Sequence, residues 1–425
     1  MPATEARIKG SPSKALLWTT IGFWAGFLGV SLYSPLVPMF TESMSLSPLL
    51  GALLLAIPLL GGSLLRIPFG AMVDKTGGKK PFLILLGTSI VGLVGLVTLL
   101  YFIPRPSFEF YPLVLLLGIL GGAGVATFPV GISQTAYWFP MKKQGRALAA
   151  YAGLGNTAAG FFAGVLPPLF IMVGILGAYG IWLVILVVLT IGYGLFIHDA
   201  PYFQLKKQGI TPDRKTLASF GQELIPSGSI QRALKIAALK RPTWGLVVLY
   251  FTSFGGFLAL TAWFPIYWFS FHQTTLVFAG LSTIMFSVTS SVVRVPGGYL
   301  SDRIGGERTL LIFVLVLLVG AIGMIFGDSI AMALVSEITL AIGMGFMNAA
   351  VFKLVPKYVP ESVGGASGLV GGLGAFGGFT IPLILGASVS ALGASGYGIG
   401  FVVFIVLALI SLVVTWTLIR SKTTK

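Results

Sequence analysis

The 425-residue chain contains no cysteine, which excludes disulfides, thiolate metal sites and cysteine nucleophiles. Histidine is nearly absent as well: His198 and His272 are the only 2, too few for a histidine cluster. No nucleophile triad or phosphate loop is visible. The Gly-x-Gly patterns lie inside apolar runs, where they carry no nucleotide-binding meaning. The sequence therefore predicts no catalytic residue, no metal, no cofactor and no enzyme. Charge is scarce too. Only 9% of residues are charged, against about 25% in a typical soluble domain. A soluble chain of this length would need a charged skin, so lipid is the expected solvent.

What is present is hydrophobic sequence, 56% of the chain, with a mean hydropathy of +0.96. Apolar runs of roughly the 20 residues needed to cross a bilayer recur at 15–37, 48–72, 81–103, 109–138, 144–173, 176–197, 243–270, 275–300, 309–327, 329–355, 362–387 and 394–419. Several are long, which predicts tilt or kinks. Continuous runs, not short alternating ones, argue against a β-barrel. The 57 glycines suit close helix packing in lipid. The first run is too long for a signal-peptide core and lacks an A-x-A-type cleavage site, so it is expected to stay as the first helix.

The net charge of +15 would suggest nucleic acid if it were spread over a soluble surface. Its distribution argues otherwise. Arg7, Lys9, Lys14, Lys75, Lys79, Lys80, Lys142, Lys143, Arg146, the basic residues from Lys206 to Arg241, Arg303, Arg308, Lys353, Lys357, Arg420, Lys422 and Lys425 all fall on one side of the predicted membrane. Of the 27 Lys and Arg, only Arg105 lies in a loop of the opposite side, and only Arg66 and Arg294 lie within spans. This asymmetry predicts a multi-pass protein of the inner or plasma membrane with both termini cytoplasmic and an even number of helices. Its expected partners are lipid and a small solute, not nucleic acid.

The longest polar stretch divides six spans from six. It predicts an N-terminal six-helix bundle at 1–198, a cytoplasmic linker at 199–241 and a C-terminal bundle at 242–425. Residues 215–240 read either as an amphipathic surface helix or as a solvated linker. The halves repeat. Arg66-Ile-Pro-Phe-Gly-Ala-Met-Val-Asp74-Lys-Thr-Gly-Gly-Lys-Lys matches Arg294-Val-Pro-Gly-Gly-Tyr-Leu-Ser-Asp302-Arg-Ile-Gly-Gly-Glu-Arg. A second pair is Gly153-Leu-Gly155-Asn156 and Gly372-Leu-Gly374-Ala375. Parallel repeats of this kind are a known transporter plan. The run Gly70–Lys80 and its counterpart Gly298–Arg308 resemble the loop signature of the major facilitator superfamily. The resemblance implies an all-α membrane protein with twelve transmembrane helices in two pseudo-symmetric six-helix bundles. Asp74 and Asp302, beside basic residues at helix ends, are candidates for charge-assisted contacts that hold one conformation and break in another.

Arg66 and Arg294 each precede the loop aspartate by eight residues, which puts them roughly 12 Å inside the membrane boundary. A central arginine costs about 2.5–3.5 kcal/mol or more, and it cannot deprotonate to escape that cost. Of the 12 Asp and Glu, only Glu337 clearly lies within a span, nearer the far end of helix 10 than the arginine depth. It reads as a structural carboxylate or as part of proton or gate coupling. The arginines therefore predict an anion site, because forked guanidinium donors match planar oxyanions. Pairing with backbone carbonyls is the other reading.

The glycine-rich runs Ala152–Gly160 and Gly368–Phe379, together with the arginines of helices 2 and 8, resemble the nitrate/nitrite porter family. That resemblance implies that nitrate or nitrite binds between Arg66 and Arg294 in an aromatic sandwich of Phe128, Tyr250 and Phe254, with Asn156 donating to an oxygen. It implies bending or sliding at Gly153, Gly155, Gly372 and Gly374. The implied function is alternating-access exchange of nitrate and nitrite by a monomer, because closing an empty cationic site is costly. A proton-coupled nitrate symporter and a carrier of another anion, such as a carboxylate, are the alternatives. The repeat breaks at Ala375, which stands where the first half has Asn156.

Overall fold

A computed structural model describes residues 8–226 and 230–423. Arg7 and Lys425, counted above in the charge asymmetry, lie outside the described residues. Among the described residues there are helices and turns and no strand. Ten stretches are long and apolar enough to cross a membrane, and they conceal two further crossings. One stretch, Arg146–Phe196, is 51 residues long and is interrupted by Gly174 at φ 71° and ψ 169°, a conformation that glycine adopts freely. It thus holds both helix 5 and helix 6. The other hidden crossing is Pro12–Phe27, extended by the 3-10 turn Leu28–Ser31. Among the described residues twelve crossings result, in two bundles of six.

In chain order, helix 2 is Pro48–Thr76, helix 3 is Lys79–Phe102, helix 9 is Gly306–Ile325, helix 10 is Ile330–Tyr358 and helix 12 is Val402–Thr423. Helix 2 starts where Ser47 caps it: the Ser47 hydroxyl accepts from the Leu50 N–H at 3.4 Å, and Pro48 occupies the first turn, where its missing N–H costs nothing. Helices 3, 6, 9 and 12 show apolar residues such as Val91, Val188, Val319 and Val413 on the outside. These are the lipid-facing positions of a protein whose solvent is hydrocarbon.

Several crossings expected to be continuous are broken midway. Helix 4 is Tyr111–Gly121 and Thr127–Trp138, joined by the 3-10 segment Gly122–Ala126. Helix 5 loosens at Thr157, where the Thr157 hydroxyl donates to the Leu154 carbonyl at 2.7 Å and competes with the helical ladder. Helix 7 is Arg241–Tyr250 and Gly256–Ile266, with π segments Phe251–Gly255 and Tyr267–Phe271. The Thr252 and Ser253 hydroxyls bond back to Val248 and Leu249 carbonyls. Helix 8 is Leu276–Val292 and Arg294–Ile304. Pro296 has no N–H for the Val292 carbonyl, which opens the turn at Val293. Helix 11 is Val363–Ala375 and Gly377–Leu392, parted at Phe376 in a glycine-dense run. Hydrophobicity alone does not register these breaks.

The bundles meet along two seams, helix 2 against helix 11 and helix 5 against helix 8. On the half of the membrane away from the termini the seams are tight. A Cβ at Gly160 would strike Ser287, one at Gly164 would strike Ile284, and one at Gly386 would strike Ala52. On the termini side the connection between bundles is not a free linker. Asp199 accepts from the Lys79 N–H and from Lys207 Nζ, both at 2.9 Å. Gln204 exchanges hydrogen bonds with the Lys9 backbone at 2.8 and 2.9 Å. These contacts strap the segment after helix 6 to the first bundle. The second part, Ile230–Leu239, packs on Val363–Ala375 of helix 11. Of the two readings of 215–240, the helix is observed, as two short pieces, Arg214–Ser219 and Ile230–Leu239.

The closest approach in the first bundle is at Gly122, where a Cβ would stand 1.9 Å from the Pro58 carbonyl oxygen. That oxygen belongs to backbone and cannot swing aside. Gly122→Ala is expected to destabilise the protein by about 1–3 kcal/mol through overpacking. Gly87→Ala, with nothing within 4 Å, should be neutral or mildly stabilising. Thermal unfolding midpoints of the two purified variants in detergent check the contrast.

Candidate functional site

Arg66, on helix 2, is 1% exposed. Its Nη1 donates to the Gly371 carbonyl of helix 11 at 3.2 Å, and its Nη2 donates to the Val125 carbonyl of helix 4 at 3.3 Å. The Val125 oxygen is available for a chemical reason. Its helical partner would be the N–H of residue 129, and that residue is proline. Arg66 thus draws on one carbonyl from each bundle, while its Nε finds no partner. Among the described residues no carboxylate forms an ion pair with Arg66 or Arg294. The carbonyl reading is therefore present for Arg66, but it occupies only part of the donor set.

Both arginines share one aromatic ring. The guanidinium carbon of Arg66 lies 5.1 Å from the Phe254 centroid, and that of Arg294 lies 5.7 Å from the same centroid. The two cations are therefore at most about 11 Å apart. Arg66 is also 5.3 Å from the Phe128 centroid. Phe128 and Phe254 stack at 6.0 Å, and Tyr250 stacks on Phe254 at 4.8 Å. All three rings are buried. The Tyr250 hydroxyl stands close to both guanidinium groups without a well-formed hydrogen bond. Arg294 is half-buried and is the first residue after the break in helix 8. The sequence-predicted Arg66, Arg294, Phe128, Tyr250 and Phe254 thus converge on one cluster.

Asn156 is fully buried, and both its amide nitrogen and its oxygen lack partners. It borders the cluster: a Cβ at the adjacent Gly155 would meet Phe23, whose ring lies 5.3 Å from Phe128. Sequence reasoning missed Asn348 of helix 10. It is 1% exposed, and neither of its amide atoms has a partner. It sits between Gly345, packed on Ser290 and Val293, and Phe352, whose ring meets Tyr250 edge-on at 4.9 Å. An asparagine in the middle of a long apolar run was the available signal. Buried unsatisfied amides are costly, so two of them beside two cations mark a place where a polar solute belongs. The arrangement offers unspent N–H donors, net positive charge and flat apolar walls. That combination suits a small planar anion.

Of the predicted gating residues, the two aspartates lie apart from this cluster. Asp74 accepts from the Tyr137 hydroxyl at 2.5 Å. Asp302 pairs with Lys353 of helix 10. Both contacts stay within their own bundle. Lys357 and Tyr358 converge on Glu307 at 2.5 and 2.8 Å, a second bond of helix 10 to the same loop. Of the predicted glycines, Gly374 presses on Tyr250 and Gly372 on Ile67, while Gly153 has nothing within 4 Å of a Cβ position. The glycine-rich run of helix 11 also supplies the carbonyl that Arg66 uses.

Comparison with known proteins adds to this geometry. A family model for the Major Facilitator Superfamily matches residues 19–382 and 278–425. The chain is similar to the "Nitrite extrusion protein" of Bacillus subtilis, 29% identical over 92% of this chain and 91% of that one. It is 27% identical to the "Probable nitrate transporter NarT" of Staphylococcus epidermidis over 93% and 94% of the two chains. Against the "Probable nitrate/nitrite antiporter NarK1" of Thermus thermophilus it is 28% identical over 74% and 71%. Among solved structures, the xylose transporter XylE from E. coli in a partially occluded inward-open conformation matches with a TM-score of 0.71 at 13% identity, over 97% and 98% of the chains. A bacterial homolog of the human lysosomal transporter Spinster matches with a TM-score of 0.67 at 17% identity, over 97% and 98%.

A cation over an aromatic face is worth roughly 0.5–2 kcal/mol, more when desolvated, and Phe254 serves two. Phe254→Leu is expected to lower the unfolding midpoint of the purified protein more than Phe257→Leu does. Phe257 stacks on Phe254 at 5.9 Å but carries no guanidinium. Equal shifts in differential scanning measurements would show that the ring contributes packing alone.

Proposed function

Since the chain belongs to the major facilitator superfamily and is a multi-pass membrane protein, we propose that it is a transporter for nitrate and nitrite that works by exchange. The observation that carries this reading is the pair of guanidinium groups sharing the Phe254 ring, with no carboxylate among the described residues paired to either. The names of the relatives point to the same anions.

In this reading Arg66 and Arg294 clamp the anion from opposite bundles and Phe128 and Phe254 form its flat walls. The Tyr250 hydroxyl and the Asn156 amide complete its hydrogen bonds. The rings exclude water, which strengthens each charge-assisted bond. The bundles 1–198 and 242–425 rock about this site, with 199–241 as their connection. Asp74, Asp302, Gly153, Gly155, Gly372 and Gly374 govern the rocking. The basic face, with both termini, is cytoplasmic, the membrane is the plasma membrane, and the monomer suffices. Two cations with no anion between them repel at close range. Loaded crossings are therefore favoured over empty ones, and nitrate moving one way returns nitrite the other.

Labelled nitrate uptake into proteoliposomes, with and without internal nitrite, tests the proposal. Internal nitrite should accelerate uptake severalfold, and indifference to internal anion would reject exchange. Arg66→Lys and Arg294→Lys keep the charge but lose the planar fork. Each is expected to cut nitrate transport by at least about tenfold, the loss of one charge-assisted hydrogen bond of roughly 1.5–3 kcal/mol. Anion-dependent thermal stabilisation should shrink in parallel. Unchanged nitrate stabilisation in both variants would remove the arginines from the site.

A further inference from the structure

The far end of the second bundle holds a carboxylate that the anion site does not use. Glu337, on helix 10, is wholly buried. Its Oε2 accepts from the Trp268 indole N–H at 2.8 Å, and its Oε1 has no partner. A dry ionised carboxylate with one neutral donor is strongly disfavoured, because burial strips it of water that a single N–H does not replace. The protonated acid suits this environment.

Trp268 belongs to the π turn Tyr267–Phe271 at the end of helix 7. That turn has two sides. On one, Trp268 holds Glu337. On the other, Phe269 and Ser270 line a cavity of about 280 Å³ between the bundles, walled by Pro38, Thr41 and Pro48 of the first bundle. The cavity lies at the far face, beside the tight seam of Gly386 on Ala52. Among the described residues Trp268 is the one hydrogen-bond donor to Glu337, so the turn that borders the inter-bundle cavity also holds the carboxylate. The other titratable groups at this end are few. His272 approaches the Tyr267 hydroxyl at 3.2 Å and its ring lies 4.9 Å from Trp268. Asp328 sits in the turn before helix 10, and Tyr397 stacks near Phe271 at 5.7 Å. Helices 8 and 9, which pack on helix 10, carry no charged residue at this end.

We propose that Glu337 is a proton-binding site on the far side, occupied when the bundles are closed there and emptied to the same side when they open. The proton comes from outside water, forms the neutral acid as Trp268 docks, and returns to outside water when the π turn swings away. No proton crosses the membrane. Linkage fixes the sign: external acid favours the closed far side and external alkali favours the open one. The inference rests on alternating access and on the orientation given above, not on the identity of the anion.

The absence of cysteine makes the test clean. Thr41→Cys places one thiol in the cavity wall, and an impermeant maleimide reports its access from outside. Labelling in right-side-out vesicles is normalised to the unfolded protein at each pH, which removes the thiol's own titration. Labelling is expected to rise severalfold with external pH. Adding Glu337→Gln, a permanent mimic of the neutral acid, should leave it low and flat. Adding Trp268→Phe instead withdraws the last donor from the carboxylate, which favours the acid further and should move the rise to higher pH. A Glu337→Gln protein whose labelling still rises with pH overturns the proposal. If that variant does not fold, an unshifted profile in Trp268→Phe overturns it. Pyranine-loaded proteoliposomes supply the last arm: no proton should accompany the anion, and stoichiometric proton entry would refute return to the same side. Labelling needs no nitrate, so it reads out even if the anion assignment fails.

Discussion

The structure depends on two guanidinium groups, one buried and one half-buried, held around one phenyl ring. At no more than about 11 Å and an effective dielectric near 20, two unit charges repel by at least roughly 1.5 kcal/mol, and each also bears its own cost of leaving water. Among the described residues no carboxylate pairs with either guanidinium. Compensation comes from aromatic faces, from backbone carbonyls and, on the proposed reading, from the transported anion. Much of the irregular architecture follows from the need to make such compensation available inside a membrane.

Backbone carbonyls in a regular helix are already spent. Freeing one requires a defect, and the site is ringed by defects: the 3-10 turn of helix 4, the loosened turns at Thr157, Val293 and Phe376, and the π turn Phe251–Gly255. Irregular backbone at membrane depth is tolerated where it is buried in protein or lines a cavity. Pro129 leaves the Val125 oxygen for Arg66. Both arginines stand two residues before a proline, Pro68 and Pro296, so the duplication carried the defect along with the charge. The two copies then diverged in use. Arg66 is buried and bonded to both bundles. Arg294 is half-buried and begins a helical segment, where the aligned peptide dipoles favour an anion and oppose a cation. It has the greater need of a counter-ion.

The legible part of the fold was whatever depends on composition. Twelve crossings, their duplication and the side that carries the basic loops follow from apolar runs and the placement of Lys and Arg. The arginines were legible because charge in hydrocarbon is conspicuous, whereas Phe128, Tyr250 and Phe254 came only with the resemblance to the porter family. The breaks were not, since a hydropathy profile does not register a missing hydrogen bond. Asn348 went unread for a related reason: a single amide in a long helix looks like a packing detail until its neighbours, Gly345 and Phe352, show which side it faces. Asp199 was hidden inside a stretch read as linker, although it ties that stretch to the Gly77-Gly78 turn.

The bond from Arg66 to Gly371 bears on the proposed exchange. It joins helix 2 to helix 11 and so links the two bundles. A carbonyl is a neutral acceptor, and an anion is a stronger one by about a factor of two. On the proposed reading, an arriving anion competes for the same Nη1 hydrogen and engages Arg294 at the same time. Loading replaces one direct tie between bundles by a bridge through the solute. The empty carrier is not a bare double cation, because Arg66 has fallback acceptors. Among the described residues no backbone carbonyl is bonded to Arg294, which has only the Phe254 face and the nearby Tyr250 hydroxyl. On this view the obstacle to empty return lies mainly with the arginine of helix 8, and the asymmetry between two duplicated residues becomes part of the transport cycle.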